Sequence, residues 1–107
     1  VEILSSDIDT QVLDAARNGV YSNRSVAELP RAYLIKYFER VQDRHGAESW
    51  RISRELVGAV EFSRVNLTDP AETRRFRDID IVFCRNLLIY FDDVSRRVAA
   101  DAMFDAL

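Results

Sequence analysis

Apolar residues come along this chain in short runs separated by polar turns, and their spacing changes from one run to the next. Val1 to Ser5 reads as a short buried strand, with Asp7-Ile8-Asp9 following where the chain would leave a sheet. Between Thr10 and Arg17 the apolar positions Val12, Leu13, Ala15 and Ala16 share one helical face, with Asp9 placed to cap the helix and Gly19 to end it. Tyr21 to Leu29 is polar and without a period, so it reads as irregular. Pro30 opens a short helix through Ala32, Tyr33, Leu34, Tyr37 and Phe38. Trp50 to Arg54 alternates as a half-exposed strand should, and the turn at His45-Gly46-Ala47 predicts a small antiparallel hairpin over residues 39–56.

The second half repeats the alternation. Val60 to Val65 reads as a strand ending at Asn66-Leu67, Asp69-Pro70 starts a helical turn towards Phe76, and Ile79 to Phe83 reads as a strand again. Asn86 to Phe91 turns the chain. Asp92 or Asp93 then caps a final helix whose apolar stripe is Val94, Val98, Ala102 and Ala106, with Ala99, Met103 and Leu107 beside it. Short apolar strands alternating with helices predict an α/β fold: a mainly parallel sheet covered on both faces, with the hairpin inserted.

Composition narrows the class of protein. With 107 residues, 48% of them hydrophobic, the chain has material for one compact core and is too short for two ordinary domains. It starts without Met in what reads as mid-strand and stops inside an apparent helix, as a piece cut from a longer protein would. The formal net charge of -3 offers no global attraction to nucleic acid or anionic lipid. A single Cys rules out an internal disulfide, and no leader pattern is visible, which points to a reducing, cytoplasmic setting. The apolar runs are too short to span a bilayer.

Ligands of open α/β sheets bind beyond the carboxyl ends of the strands. Asp7, Asn66 and Cys84-Arg85-Asn86 end the three expected strands, and would face one crevice. An acidic residue there can accept hydrogen bonds from a ribose diol, or it can simply form a cap or Asx turn. Asn66 before Leu67 can present amide groups to an adenine edge, or serve only the turn. The run Ile81 to Phe91, IVFCRNLLIYF, sets Arg85 and Asn86 among residues that read as core. A buried guanidinium without a partner is costly, so Arg85 either pairs internally with an Asp or offers its planar fork to a ligand carboxylate. Tyr90 reads as a core aromatic with its hydroxyl at the surface, or as a substrate contact. Cys84 reads as a small buried hydrophobe rather than a nucleophile, and one His with one Cys argues against a metal site.

Ser6-Asp7-Ile8-Asp9-Thr10, Val12-Leu13, Ala15 to Tyr21, Tyr37-Phe38, Val60-Glu61-Phe62 and Val65-Asn66-Leu67 occur in that order, followed by Ile81 to Asp92. In these stretches, over nearly its whole length, the chain resembles the CheR-type chemotaxis receptor methyltransferases. The resemblance implies transfer of a methyl group from S-adenosylmethionine to glutamate side chains of receptors, leaving S-adenosylhomocysteine. It implies a Rossmann-like class I methyltransferase sheet, with residues 1–107 as the central part of the C-terminal cofactor domain and residues 39–56 as a small inserted antiparallel β-subdomain. It also assigns roles. Asp7 would hold the ribose hydroxyls, Asn66 and Leu67 would bracket the adenine, and Cys84 and Arg85 would line the cofactor near its sulfonium. Arg85 and Tyr90 would be the catalytic residues that place the glutamate.

The family's glycine-containing cofactor loop and first strand would precede Val1, so the 107 residues alone are expected to be inactive. The implied partner is a methyl-accepting chemotaxis receptor in the cytoplasm, gripped by its C-terminal tail through the hairpin. From Arg31 to Arg54 the positive residues Arg31, Lys36, Arg40, Arg44, Arg51 and Arg54 outnumber Glu39, Asp43 and Glu48, which suits an acidic tail. Two other readings stand beside this one: a non-catalytic docking or regulatory module of the same fold, and a dinucleotide-dependent oxidoreductase in which Asp7 again serves a ribose.

Overall fold

The computed structural model covers residues 1–107. Strand β1, Ile3–Asp7, runs parallel to β5, Val60–Arg64, in register from Ile3 opposite Val60 to Asp7 opposite Arg64. Between them in sequence lies helix α1, Thr10–Asn18, whose start and end the sequence dictates closely. Asp9 Oδ1 accepts from the backbone N–H of Gln11 at 2.8 Å and of Val12 at 3.4 Å, and Gly19 closes the helix with φ +70. The helix packs on the strand pair: Leu13 is buried, and the Arg17 guanidinium stands 5.8 Å from the centre of the Phe62 ring while donating to the Phe62 carbonyl. Ile3 and Leu4 stay exposed. Burial on both faces is therefore not achieved here, because a two-stranded ladder offers too little surface to enclose both sides.

A second sheet is antiparallel, in the order β2-β4-β3, built from Val20–Ser22, Phe38–Gln42 and Glu48–Ile52. The hairpin between β3 and β4 turns at Asp43, whose Oδ1 accepts from the N–H groups of His45 and Ala47, and at Gly46, with φ +79. It ends at Ile52 rather than at residue 56, because helix α4, Arg54–Gly58, begins two residues later. Strand β2 falls in the segment expected to be irregular. Three residues are too few to show a period, and the strand is made by pairing, Tyr21 opposite Trp50. Helix α2, Asn23–Val26, follows it under a Ser22 cap, and helix α3, Arg31–Tyr37, starts just after Pro30 as expected.

The chain divides into two compact units, Val1–Arg64 and Val65–Leu107. In the second, helix α5, Pro70–Thr73, is capped by Asp69, and α6, Asp93–Ala106, by Asp92, whose side chain accepts from Ser95 N at 2.7 Å. Ala99 and Ala106 of the expected stripe are buried, whereas Val94 is exposed.

The expected strand Ile79 to Phe83 is not formed. No strand of this chain pairs with it, and a strand exists only through its ladder. Its one backbone tie is Ile79 N–H to the Ala106 carbonyl, 2.9 Å. Ile81 and Phe83 are 70% and 86% exposed, so the run is not core here, contrary to its composition. Two left-handed residues bracket it, Asp78 at φ 57 and Asn86 at φ 59. Asn is one of the few residue types that tolerate this conformation, which accounts for the carboxamide at position 86 without any ligand.

Candidate functional site

Asp7 occupies the last position of β1 and is half-buried. One carboxylate oxygen, Oδ1, accepts from Asp9 N–H at 2.9 Å, closing an Asx turn into α1. The other oxygen takes no hydrogen bond from the protein. The turn role and the ligand role, which the sequence posed as alternatives, thus fall on different oxygens of one carboxylate. Asp7 belongs to the first unit, and the other five candidate residues to the second.

Asn66 is half-buried beyond β5, and its Oδ1 accepts from Thr68 N–H at 3.0 Å and from Thr68 Oγ1 at 2.7 Å. Its backbone N–H donates to Glu72 Oε1 and its carbonyl accepts from Asp69 N–H. The oxygen side of the amide is committed to the turn, and the NH₂ side remains available. Leu67 sits in that turn, half-buried.

Cys84 is a half-buried free thiol in the extended segment, and Arg85 beside it is exposed. Arg85 forms neither an ion pair nor a hydrogen bond, so the internal pairing posed for it is not found. Its donors face solvent because the segment that carries it packs against no strand. Tyr90 lies in a 3₁₀ turn, Leu88–Tyr90, and is 79% exposed, so it is not a core aromatic. Single-turn bonds hold that backbone, Tyr90 N–H to Leu87 O at 3.1 Å and Phe91 N–H to Leu88 O at 3.2 Å.

On the antiparallel sheet the excess of positive charge is partly consumed within the protein. Arg40 pairs with Glu48 at 2.7 Å and Arg51 with Glu39 at 3.6 Å. Arg54 donates to the carbonyls of Asn18 and Arg17, at 2.9 and 3.0 Å, and so caps α1 from the far side of the hairpin. A shallow groove beside it is lined by Lys36, Arg51 and Arg54 together with the acidic Glu39, and by Tyr37, Phe38, Ile52 and Ser53. No local pattern marks this cap, since Arg54 and Asn18 are far apart along the chain.

Two parallel strands, the first followed by a helix and carrying an acidic residue at its carboxyl end, are an arrangement found in α/β ligand-binding domains. The family model described as the CheR methyltransferase SAM binding domain matches residues 1–107, and the chain belongs to that family. Chemotaxis protein methyltransferase 2 of Vibrio cholerae is 42% identical over 107 residues, covering 100% of this chain and 36% of the relative. A chemotaxis protein methyltransferase of Borreliella burgdorferi is 36% identical over 102 residues, 94% of this chain and 34% of its own length. The Escherichia coli enzyme of the same name is 35% identical over 96 residues, 90% of this chain and 33% of its own. The chain thus spans about a third of the length of these relatives.

S-adenosylmethionine is the cofactor of this domain family. The polar groups of these residues are compatible with it: a strand-terminal carboxylate with one oxygen uncommitted suits a ribose hydroxyl, and the remaining amide donors of Asn66 suit a heteroaromatic edge.

Proposed function

We propose that the 107 residues are the central part of the C-terminal cofactor domain of a protein-glutamate O-methyltransferase that modifies chemotaxis receptors in the cytoplasm. The observation that carries this reading is the unpartnered Arg85 guanidinium in the middle of Ile81 to Asp92, one of the stretches that carry the family resemblance. In this reading the sheet is Rossmann-like, and the β2-β4-β3 sheet is the small inserted subdomain. Asp7 holds the ribose, Asn66 and Leu67 bracket the adenine, and Cys84 lies near the sulfonium beside Arg85.

Bound S-adenosylmethionine supplies an electrophilic methyl group and, after transfer, a neutral thioether. The acceptor carboxylate is already ionised at neutral pH, so no general base is required. What the chain must do is place it. The Arg85 fork orients the carboxylate for in-line attack, and Tyr90 bounds the same acceptor. Transfer from the cofactor would require no proton exchange, so what Arg85 and Tyr90 would contribute is the placement of the acceptor carboxylate. Exclusion of water from the carboxylate strengthens the attack, whereas a fully buried ion pair would weaken it.

The receptor reading rests on the hairpin groove together with Arg31, Lys36 and Arg44, which remain outside the sheet's internal ion pairs. No helix is long and apolar enough to cross a membrane. The test is methyl transfer from labelled S-adenosylmethionine by the complete methyltransferase that holds these residues. Carboxyl methyl esters release their label as methanol in mild alkali. Arg85→Ala should lower kcat/KM by about a hundredfold while weakening S-adenosylhomocysteine binding much less. Alkali-stable label would contradict glutamate as acceptor, and equal losses in transfer and binding would contradict the role of Arg85.

A further inference from the structure

Arg96 stands on the first turn of α6 and reaches back to the turn that carries Tyr90. Its Nε donates to the Leu88 carbonyl at 3.1 Å and its Nη2 to the Phe91 carbonyl at 3.1 Å. These two carbonyls flank Ile89 and Tyr90, so one planar guanidinium bridges the chain on both sides of the tyrosine without touching its ring. The third contact, Nη1 to Asp93 Oδ1, is 3.5 Å long to a fully exposed carboxylate and contributes little. The root of the arm is fixed, since Arg96 N–H donates to Asp92 O at 2.9 Å and Asp92 caps the helix.

The bridge matters because the turn is otherwise weakly held. A single 3₁₀ turn has poor hydrogen-bond geometry, and here Ile89 and Tyr90 are 69% and 79% exposed, so packing does not fix it. With little packing around the ring, the backbone is what limits the rotamers open to Tyr90 and the point from which its side chain projects. The planar guanidinium offers the two carbonyls separate nitrogens in fixed directions, whereas the three donors of an ammonium share one nitrogen on a flexible stem.

We propose that Arg96 is a positioning residue for the acceptor side of the site, acting by clamping the Leu88–Phe91 turn that presents Tyr90. This rests on the methyltransferase reading given above. Arg96→Ala and Arg96→Lys in the complete methyltransferase should each lower kcat/KM for the acceptor about tenfold, with S-adenosylhomocysteine affinity and unfolding midpoint nearly unchanged. Lys keeps the charge but not the fork, and so should fail to rescue.

The deciding measurement is a double-mutant cycle with Tyr90→Ala. If Arg96 works through Tyr90, its replacement costs little once the tyrosine is gone. A full additional loss in the Tyr90→Ala background overturns the proposal, as does full activity of Arg96→Lys. If the unsubstituted protein binds S-adenosylhomocysteine yet these variants behave as wild type, the clamp alone is wrong. If it neither binds the product nor transfers methyl groups, the methyltransferase reading fails and takes the clamp with it.

Discussion

At the scale of single residues, the chain places its demands where two elements meet. Gly19 ends α1 with φ +70 and abuts the antiparallel sheet, its carbonyl accepting from Ile52 N–H at 2.9 Å. A Cβ at this position would meet Ile52 Cγ2 at 2.8 Å and Val57 Cγ2 at 3.3 Å, both methyls of β-branched side chains with little freedom to withdraw. Gly19→Ala should therefore cost about 1–3 kcal/mol of stability, from left-handed strain and overpacking together. A denaturant midpoint unchanged by the substitution would refute the crowding. Gly46 shares the positive φ but has no atom near a prospective Cβ, so Gly46→Ala should carry only the backbone part of that cost.

Elements are held by polar ties that the periodicity of the sequence did not announce. On the antiparallel sheet Trp50 Nε1 donates to Asn23 Oδ1 at 2.7 Å and Asn23 Nδ2 to Glu48 Oε2 at 3.3 Å; Arg40 pairs with Glu48 and lies 5.2 Å from the centre of the Trp50 ring. This closed ring fastens α2 to β4. Trp50→Phe, which keeps an aromatic ring but removes the donor and part of the apolar area, should cost about 1 kcal/mol or more, and Asn23→Ala should add less than its separate effect. Additive losses in thermal unfolding would mean that the two residues act independently.

Helix α6 carries a pH dependence of readable sign. The Ser95 backbone N–H, and then its hydroxyl, hold the Asp92 carboxyl below its ordinary pKa. A carboxyl lowered on folding stabilises the folded form above its unfolded pKa of about 4, and that contribution fades as the pH falls through the folded value. The same holds for Asp43, whose carboxyl is lowered first by the Ala47 N–H and then by that of His45. Asp92→Asn keeps the cap acceptor but cannot titrate, so helicity should fall less on acidification than in the wild type. An identical acid profile by circular dichroism would contradict the assignment.

Over the whole chain, what could be read from sequence was what short-range chemistry decides. Asp9 caps α1, Asp92 rather than Asp93 caps α6, α5 starts at Asp69-Pro70 and the His45-Gly46-Ala47 turn forms; β5 lies where its apolar run put it, while β1 starts two residues later and β4 two residues earlier than expected. What pairing decides was not legible. Val20–Ser22 is a strand only because β4 runs beside it, and Ile79 to Phe83 is not one because no strand does. The candidate site divides on the same line. The residue types at Asp7, Asn66 and Arg85 were visible, but not that Asp7 splits its oxygens between a turn and solvent, that Asn66 commits one face of its amide, or that Arg85 lies unpaired. Arg54 and Arg96, whose partners are backbone carbonyls, left no mark in the pattern at all.

The central claim is that Asp7 anchors the cofactor of a methyltransferase of the CheR family, and one titration addresses it. S-adenosylhomocysteine is titrated by calorimetry into the complete methyltransferase domain and into its Asp7→Asn variant, which keeps an acceptor for Asp9 N–H and so preserves the turn. The account predicts saturable one-site binding that weakens about tenfold or more in the variant, as loss of a charge-assisted hydrogen bond requires. Absence of binding by the folded domain, or binding that the substitution leaves untouched, would contradict it.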